Sequence, residues 1–141
     1  MPQANDSELT KAYTTPTGID VENNEPNADG PAGNFDLRLE AVAGSVLGDS
    51  GATYKLTVDC IDDTLAERNA NMSEPVPLAQ AFNNAVGSDW LAAGNNFKKE
   101  QTINFNVDAQ AKGHVLHYVV TLVGDNGDVV SFIESNKFIL I

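Results

Sequence analysis

The chain has 141 residues, of which 20 are acidic and 8 basic, so its formal net charge is −12 at pH 7. A surface of this sign repels phosphate groups, which argues against nucleic acid as a partner and disfavours binding to an anionic membrane. No apolar run approaches the roughly 20 residues that span a bilayer, and the N-terminus lacks the features of a secretory signal. We therefore expect a soluble protein that is cytoplasmic or associated with a virion or filament.

Residues 1–34 differ in composition from the rest of the chain. They carry six acidic side chains against Lys11 alone, several prolines and few large apolar residues. Such a segment cannot bury enough apolar area to offset the entropy lost on ordering. The sequence therefore predicts an extended acidic N-terminal arm at residues 1–34, held by its own domain or by a neighbouring subunit. A single domain is predicted over residues 35–141.

From Phe35 onward, apolar and polar residues alternate with the period of a β-strand. The runs 35–41 and 53–61 each have one apolar face, and Cys60, the only cysteine, falls on the apolar face of the second run. We expect this thiol to be buried and unreactive. Strand patterns return at residues 102–108 and continue, with turns, to the C-terminus.

The strand rhythm fails between residues 62 and 100. The segment 64–67 has the spacing of a helical capping box. Pro77 is followed by apolar residues at helical spacing up to Gly87, which is positioned as a C-cap. This spacing predicts a short, partly helical insertion, and Trp90 after it is expected to fill the core.

Asn126-Gly127 is the strongest hairpin signal in the chain and predicts a two-residue type I′ turn. A turn of that length sets three cross-strand pairs: Val123 with Val130, Thr121 with Phe132, and Val120 with Ile133. About six strands, long turns and the absence of alternating strands and helices together predict a mainly β fold. The expected architecture is an antiparallel β-sandwich of immunoglobulin-like or jelly-roll-like type.

Candidates for chemistry are few. His114 and His117 are three residues apart in a strand pattern, so they project to opposite faces and cannot chelate one ion. Because calcium prefers clustered oxygens on loops, two acidic turn regions are weak metal candidates: Asp59, Asp62, Asp63, Asp125 and Asp128. The sequence has no nucleophile elbow and no phosphate-binding glycine loop, so we expect no enzymatic activity and no cofactor.

Residues 114–123 are apolar on both faces of the predicted strand. The second face is then either covered by residues 64–93 or in contact with another molecule. The uncharged C-terminal run is also suited to pairing with another chain at a sheet edge. These two features predict a set of interface residues: Val115, Val119, Val123, Val130, Phe132, Phe138 and Leu140.

These expectations favour a non-enzymatic structural or assembly protein of virion, phage-tail or filament type. It would self-associate or dock on a larger scaffold through its arm and its apolar sheet face, which makes a homo-oligomer or a larger protein assembly the expected state. The alternative is a monomeric carbohydrate- or calcium-binding β-sandwich module that uses the acidic end loops. In the calcium case the thermal midpoint should rise with calcium, since a ligand of the folded state stabilises that state.

Overall fold

The computed structural model describes residues 6–28, 33–84 and 89–141. Within these ranges the fold is mainly β, and two antiparallel sheets pack face to face. Their strands are β1 (Ser7–Thr15), β2 (Asn34–Ala43), β3 (Thr53–Asp62), β4 (Glu67–Asn69), β5 (Leu78–Ala81), β6 (Trp90–Ala93), β7 (Asn96–Asn106), β8 (Val115–Gly124), β9 (Val129–Glu134) and β10 (Phe138–Ile139). The helical elements found there are short 3-10 turns: Leu47–Asp49, Ala70–Met72 and Ala109–Ala111. None of the helices seen in these ranges has the length and apolar character needed to cross a membrane.

Each sheet is four strands wide. The first sheet has the order β1-β2-β7-β6. The second is built on β3 and β8, which pair from Tyr54 opposite Gly124 to Asp62 opposite Leu116. Strands β4 and β5 share the outer edge of β3, and β9 and β10 share the outer edge of β8. The central pair therefore runs the length of the domain, and shorter strands flank both of its ends.

The core lies between the sheets and contains two clusters of aromatic rings. At one end Tyr54 contacts Phe82 and Trp90, with ring centroids 4.4 and 6.3 Å away. At the other end Tyr118 stacks on Phe105 and on Phe138, at 5.0 and 5.7 Å. The alternation predicted for β2 and β3 is confirmed, because their apolar side chains are buried in turn along each strand.

Strand β1 corrects the predicted arm over residues 7–15. It pairs with β2 along its whole length, and its Leu9 and Ala12 side chains are buried. On its other side it lies against β9, where the Leu9 N–H donates to Ser131 Oγ at 3.0 Å. The composition gave no sign of this strand because much of its burial is polar: Thr14 and Thr15 are fully buried. The ordered body therefore begins before the predicted boundary at residue 34.

The helix predicted after Pro77 is wrong where the structure describes it, and the helical element described between residues 62 and 100 is the 3-10 turn Ala70–Met72. Residues 78–81 form β5, which pairs with β3, and the segment 64–66 is a turn that leads into β4. The open edge of β3 offers backbone partners along this stretch, and such tertiary pairing overrides a short helical pattern. Gly87, the predicted C-cap, lies outside the described residues. Trp90 fills the core as predicted and is 1% exposed.

The hairpin between β8 and β9 lies where the sequence predicts it, but its loop is longer than the predicted two residues. Thr121 pairs with Phe132 and Val120 with Ile133, as predicted, but Val123 pairs with Val129. The Gly127 N–H donates to the Gly124 carbonyl and Gly127 has φ +87°, so the loop has three residues and a bulge follows it. The bulge shifts the register by one residue at the loop end of β9.

Candidate functional site

The outer face of the second sheet carries an exposed apolar surface on β9. Val129, Val130 and Phe132 are 63%, 47% and 67% exposed, and their neighbour Val123 on β8 is half-buried. We call these four residues the outer patch. A shallow groove of about 750 Å³, lined in part by Lys55, Ala79 and Val123, continues the patch across the sheet. The patch is therefore the edge of a wider apolar face and not a set of isolated side chains.

Charged residues stand at both ends of this face. In the row nearest the hairpin, Lys55 lies beside Val123. Two rows further on, Val119 lies between Asp59 and Glu134. Residues opposite each other in an antiparallel pair share a face, so the positive charge and the negative charges flank an uncharged middle row. That middle row contains Thr57, Thr121 and Phe132.

The structure divides the predicted interface residues into two groups. Val115, Val130 and Phe132 are exposed, and Val119 and Val123 are half-buried on the same face. Phe138 and Leu140 are 1% and 0% exposed, so they belong to the core and their assignment to an interface is corrected. The reason is the β10–β8 pairing, which turns the Phe138 ring inward between Phe35 and Tyr118.

The acidic candidates lie in two places that cannot form one site. Asp125 and Asp128 flank the β8–β9 hairpin next to Gly124, whereas Asp62 lies at the opposite end of the β3–β8 pair. Asp59 is already paired with the Arg68 guanidinium at 2.6 Å. Among the residues described, no group of three or more His, Cys, Asp or Glu side chains is arranged to hold a metal ion.

Asp62 and Asp63 each bind a different histidine. The Nδ1 atom of His114 is 2.6 Å from Asp62 Oδ2, and Nδ1 of His117 is 2.8 Å from Asp63 Oδ2. Lys137 also donates to Asp63, at 2.7 Å, and this hydrogen bond is the chief reason that the pKa of Asp63 is lowered. These contacts tie the end of β3 to the start of β8 and to the segment before β10.

A concave polar pocket of about 200 Å³ opens beside Asp62. We call it the end pocket. Its walls come from the end of β3 and the turn after it, from β4 and the 3-10 turn that follows, and from the 3-10 turn at residues 109–111. The lining combines carboxylate, amide, guanidinium and apolar side chains: Asp62, Leu65, Glu67, Arg68, Asn69, Ala70, Asn71, Asp108, Gln110 and Ala111.

Asp108 organises the floor of the end pocket. Its Oδ2 accepts from the side-chain amides of Asn69 and Asn71, at 3.0 and 3.3 Å, and its Oδ1 accepts from the Gln110 N–H. These hydrogen bonds, with that from Asn69 the strongest cause, lower the pKa of Asp108. The carboxylate is therefore fixed in position and stays charged well below neutral pH.

A second polar cluster is buried at the opposite end of the sandwich. Lys99 on β7 is 5% exposed, and its Nζ donates to Gln80 Oε1 at 2.7 Å and to the Tyr54 hydroxyl at 3.2 Å. The Trp90 indole N–H also donates to that hydroxyl, at 3.1 Å. Burial lowers the pKa of Lys99 and raises that of Tyr54 to about 12. The sequence did not indicate this cluster, since Lys99 lies in a run of polar residues with no apolar alternation.

Cys60 takes no part in any of these clusters. It is fully buried on β3, as predicted, and burial raises the pKa of its thiol to about 12. A thiol with so high a pKa is protonated at neutral pH, so it is a poor nucleophile.

Comparison with known proteins shows no family for this chain and a distant likeness to solved structures. No family model matches the chain, and no curated protein matches it. Among solved structures, a DUF4466 family protein from Parabacteroides merdae is similar, with a TM-score of 0.37 and 11% sequence identity. The similarity covers 94% of this chain and 45% of that one, so the present chain spans less than half of its neighbour's length.

Proposed function

We propose that this chain is a non-enzymatic assembly protein that associates with a second copy of itself through the outer patch. The observation that carries the proposal is the exposure of Val129, Val130 and Phe132 on one short strand. Single exposed apolar residues are ordinary on protein surfaces, but a contiguous apolar face next to a groove is typical of an interaction site. Association would bury this face and supply the hydrophobic driving force.

The charges around the patch favour a second copy as the occupant. Copies with a net charge of −12 repel each other over most of their surface, and the uncharged row at Phe132 avoids this cost. A two-fold axis through that row, lying across the strands, sets each Lys55 opposite the partner's Asp59. The face is then self-complementary in charge, as a symmetric dimer contact requires.

The first test is the mass of the full chain in solution, by light scattering after gel filtration. We expect a dimer that Phe132→Ser converts to a monomer. The matched control is Leu91→Ser, because Leu91 is 64% exposed on β6 of the other sheet. The control chain should stay dimeric. A monomeric wild-type chain at 100 µM-scale concentration, or equal loss of mass in both variants, would overturn the proposal.

A charge exchange tests the arrangement of the two copies. Lys55→Asp and Asp59→Lys should each weaken association, because like charges then face each other across the contact. An equimolar mixture of the two variants should associate more tightly than either alone, since the opposite charges meet again. Asp59→Lys also removes the pair with Arg68, but an exposed pair of this kind contributes little stability. A mixture no tighter than its components contradicts the crosswise two-fold axis.

We further propose that the assembly is of virion, phage-tail or filament type, as the sequence led us to expect. We also propose that the sandwich is immunoglobulin-like or jelly-roll-like, and two packed antiparallel sheets are consistent with either type. The calcium-binding alternative has less support, because basic side chains already bind Asp59, Asp62 and Asp63. We expect millimolar calcium to leave the thermal midpoint unchanged.

A further inference from the structure

We propose that the end pocket is a second, independent binding site whose ligand is a neutral saccharide unit. The pocket lies at the Asp62 end of the β3–β8 pair, while the outer patch continues toward the hairpin at the other end. The outer patch and the end pocket share no residue, and the Arg68–Asp59 ion pair lies between the pocket and the proposed dimer contact. This inference therefore does not depend on the self-association proposed above.

The frame of the end pocket is held in place before any ligand arrives. Asn69 accepts from the Met72 N–H and so caps one 3-10 turn, while Asp108 accepts from the Gln110 N–H and caps the other. The two capping side chains are themselves joined by the Asn69–Asp108 hydrogen bond. A site fixed in this way loses little conformational entropy when it binds a ligand.

The remaining side chains offer both kinds of hydrogen-bonding group. Glu67 supplies acceptors, Arg68 supplies the N–H groups that Asp59 and the Glu74 carbonyl do not use, and the Gln110 amide supplies both donors and acceptors. A sugar hydroxyl donates one hydrogen bond and accepts others, so it matches a lining that contains both donors and acceptors. A simple anion or cation would be matched by one kind alone.

Charge and apolar contacts narrow the ligand class further. The lining holds three carboxylates, from Asp62, Glu67 and Asp108, against the single guanidinium of Arg68, which disfavours phosphates and carboxylates. Leu65, 55% exposed at the rim, and two alanines give the pocket an apolar wall. A pyranose ring presents C–H groups on its faces and hydroxyls around its edge, and both find partners here.

The test follows the side-chain amide signals of Asn69, Asn71 and Gln110 by NMR in the full chain. The probes are methyl glucoside, methyl galactoside, methyl mannoside and N-acetylglucosamine, each up to 100 mM, with sodium phosphate and spermidine as charged comparisons. We expect saturable shifts of these three amides with at least one sugar and with neither charged probe. Gln110→Ala should weaken the binding of that sugar at least fivefold, because it removes a lining amide that caps neither 3-10 turn.

Two controls keep the result interpretable. Glu67→Gln in the pocket should change sugar affinity, whereas Glu134→Gln, the same substitution outside the pocket, should not. Both positions are exposed, so neither variant is expected to unfold. If spermidine alone shifts the pocket signals, the ligand of the pocket is a cation and not a saccharide, and the proposal is overturned. The absence of saturable pocket shifts with all four sugars would overturn it as well.

Discussion

The two ends of the sandwich use similar polar groups in opposite ways. At the closed end, Lys99, Gln80 and the Tyr54 hydroxyl satisfy one another between the sheets beneath Trp90. At the other end, Asp62 and Asp108 are also hydrogen-bonded, but they line an open pocket. Tyr54 and Asp62 lie on the same strand, eight residues and therefore about 26 Å apart.

The Lys99 cluster and the Asp62–Asp108 cluster differ in the space beside them more than in their chemistry. The void beside Lys99 measures about 10 Å³, roughly the room of a single water molecule, whereas the end pocket measures about 200 Å³. Aromatic rings fill the closed end, and its polar groups bind one another and two neighbouring side chains, Asp89 and Gln101. A perturbed pKa alone would single out Lys99 as functional, but the void beside it has no room for a ligand larger than water.

The largest expected effect tests how strictly the closed end is packed. Trp90→Ala should lower the free energy of unfolding by about 3–5 kcal/mol, because it opens a cavity in the core and removes a donor to Tyr54. Gln110→Ala in the end pocket should change it by no more than about 0.5 kcal/mol. Urea unfolding of both variants measures the contrast. Equal losses would show that the two ends do not differ in packing.

Replacing the buried lysine gives the next largest effect. Lys99→Met keeps the apolar stem, removes a buried charge, and leaves the Tyr54 hydroxyl donating to Gln80 at 2.8 Å. Since a hydrophobic replacement of a buried ion is often neutral or stabilising, we expect a gain of about 0–2 kcal/mol at pH 7. The matched control is Lys98→Met, because the Lys98 side chain is 43% exposed on the same strand. That change should bring no gain.

The pH dependence of this gain has a definite sign. Burial lowers the pKa of Lys99 in the folded state, so the unfolded chain binds the extra proton between that pKa and 10.5. Wild-type stability therefore recovers with rising pH in this window, and the advantage of Lys99→Met should shrink there. Cys60, whose pKa is raised to about 12, lowers stability above pH 9 in both chains and cancels in the difference. An advantage that is constant to pH 10.5 would contradict a buried, charged Lys99.

How far the sequence predicts this fold depends on what buries each strand. Apolar alternation located β2, β3 and β8, because their inward faces are apolar. It missed β1 and β5, where pairing with a longer neighbour supplies the order. In β1, the Thr14 N–H donates to Asn136 Oδ1, 122 residues further along the chain, and such long-range partners leave no local pattern.

The outer patch, the end pocket and the Lys99 cluster were likewise predictable only where a local sequence pattern marks them. The exposed part of the outer patch was predictable, since residues 114–123 are apolar on both faces and β9 follows through a clear turn signal. The end pocket was visible only in part, as the acidic turn at Asp62 and Asp63. Asn69 and Asp108 are 39 residues apart in sequence, and the fold alone brings them together. Lys99 on β7 contacts Tyr54 on the other sheet, and the residue spacing within β7 does not predict this contact.

Acid should loosen the pocket end before the closed end. Hydrogen bonds lower the pKa values of Asp63 and Asp108, so the unfolded chain binds more protons than the folded chain below their ordinary value of 3.8. The stability that they contribute is present above pH 3.8 and is lost as pH falls through their folded pKa values. Hydrogen exchange at pH 3 should therefore lose protection at residues 67–72 and 108–111 before residues 54–58.

Asp108→Asn checks the origin of this acid sensitivity. The variant should show the loosened exchange at 108–111 already at neutral pH, with little further change on acidification. The matched control is Asp125→Asn on the hairpin at the other end, which should leave the pattern as in the wild-type chain. Simultaneous loss of protection at both ends would mean that the domain opens as one unit and that the contrast between its ends is not energetic.

The smallest expected effect concerns the rim of the end pocket. Ala66 has φ +55°, a left-handed conformation that costs a residue with a Cβ about 1–2 kcal/mol. Glycine removes this cost but adds about 0.4–1 kcal/mol of unfolded-state entropy, so Ala66→Gly should stabilise the domain by about 0.5 kcal/mol. Ala70→Gly, in the neighbouring 3-10 turn without a positive φ, should instead destabilise it, and urea unfolding compares the two. Ala66 follows Leu65, which lines the pocket. If the Ala66→Gly chain is more stable but binds sugar less tightly, the strained turn orders the apolar wall of the pocket.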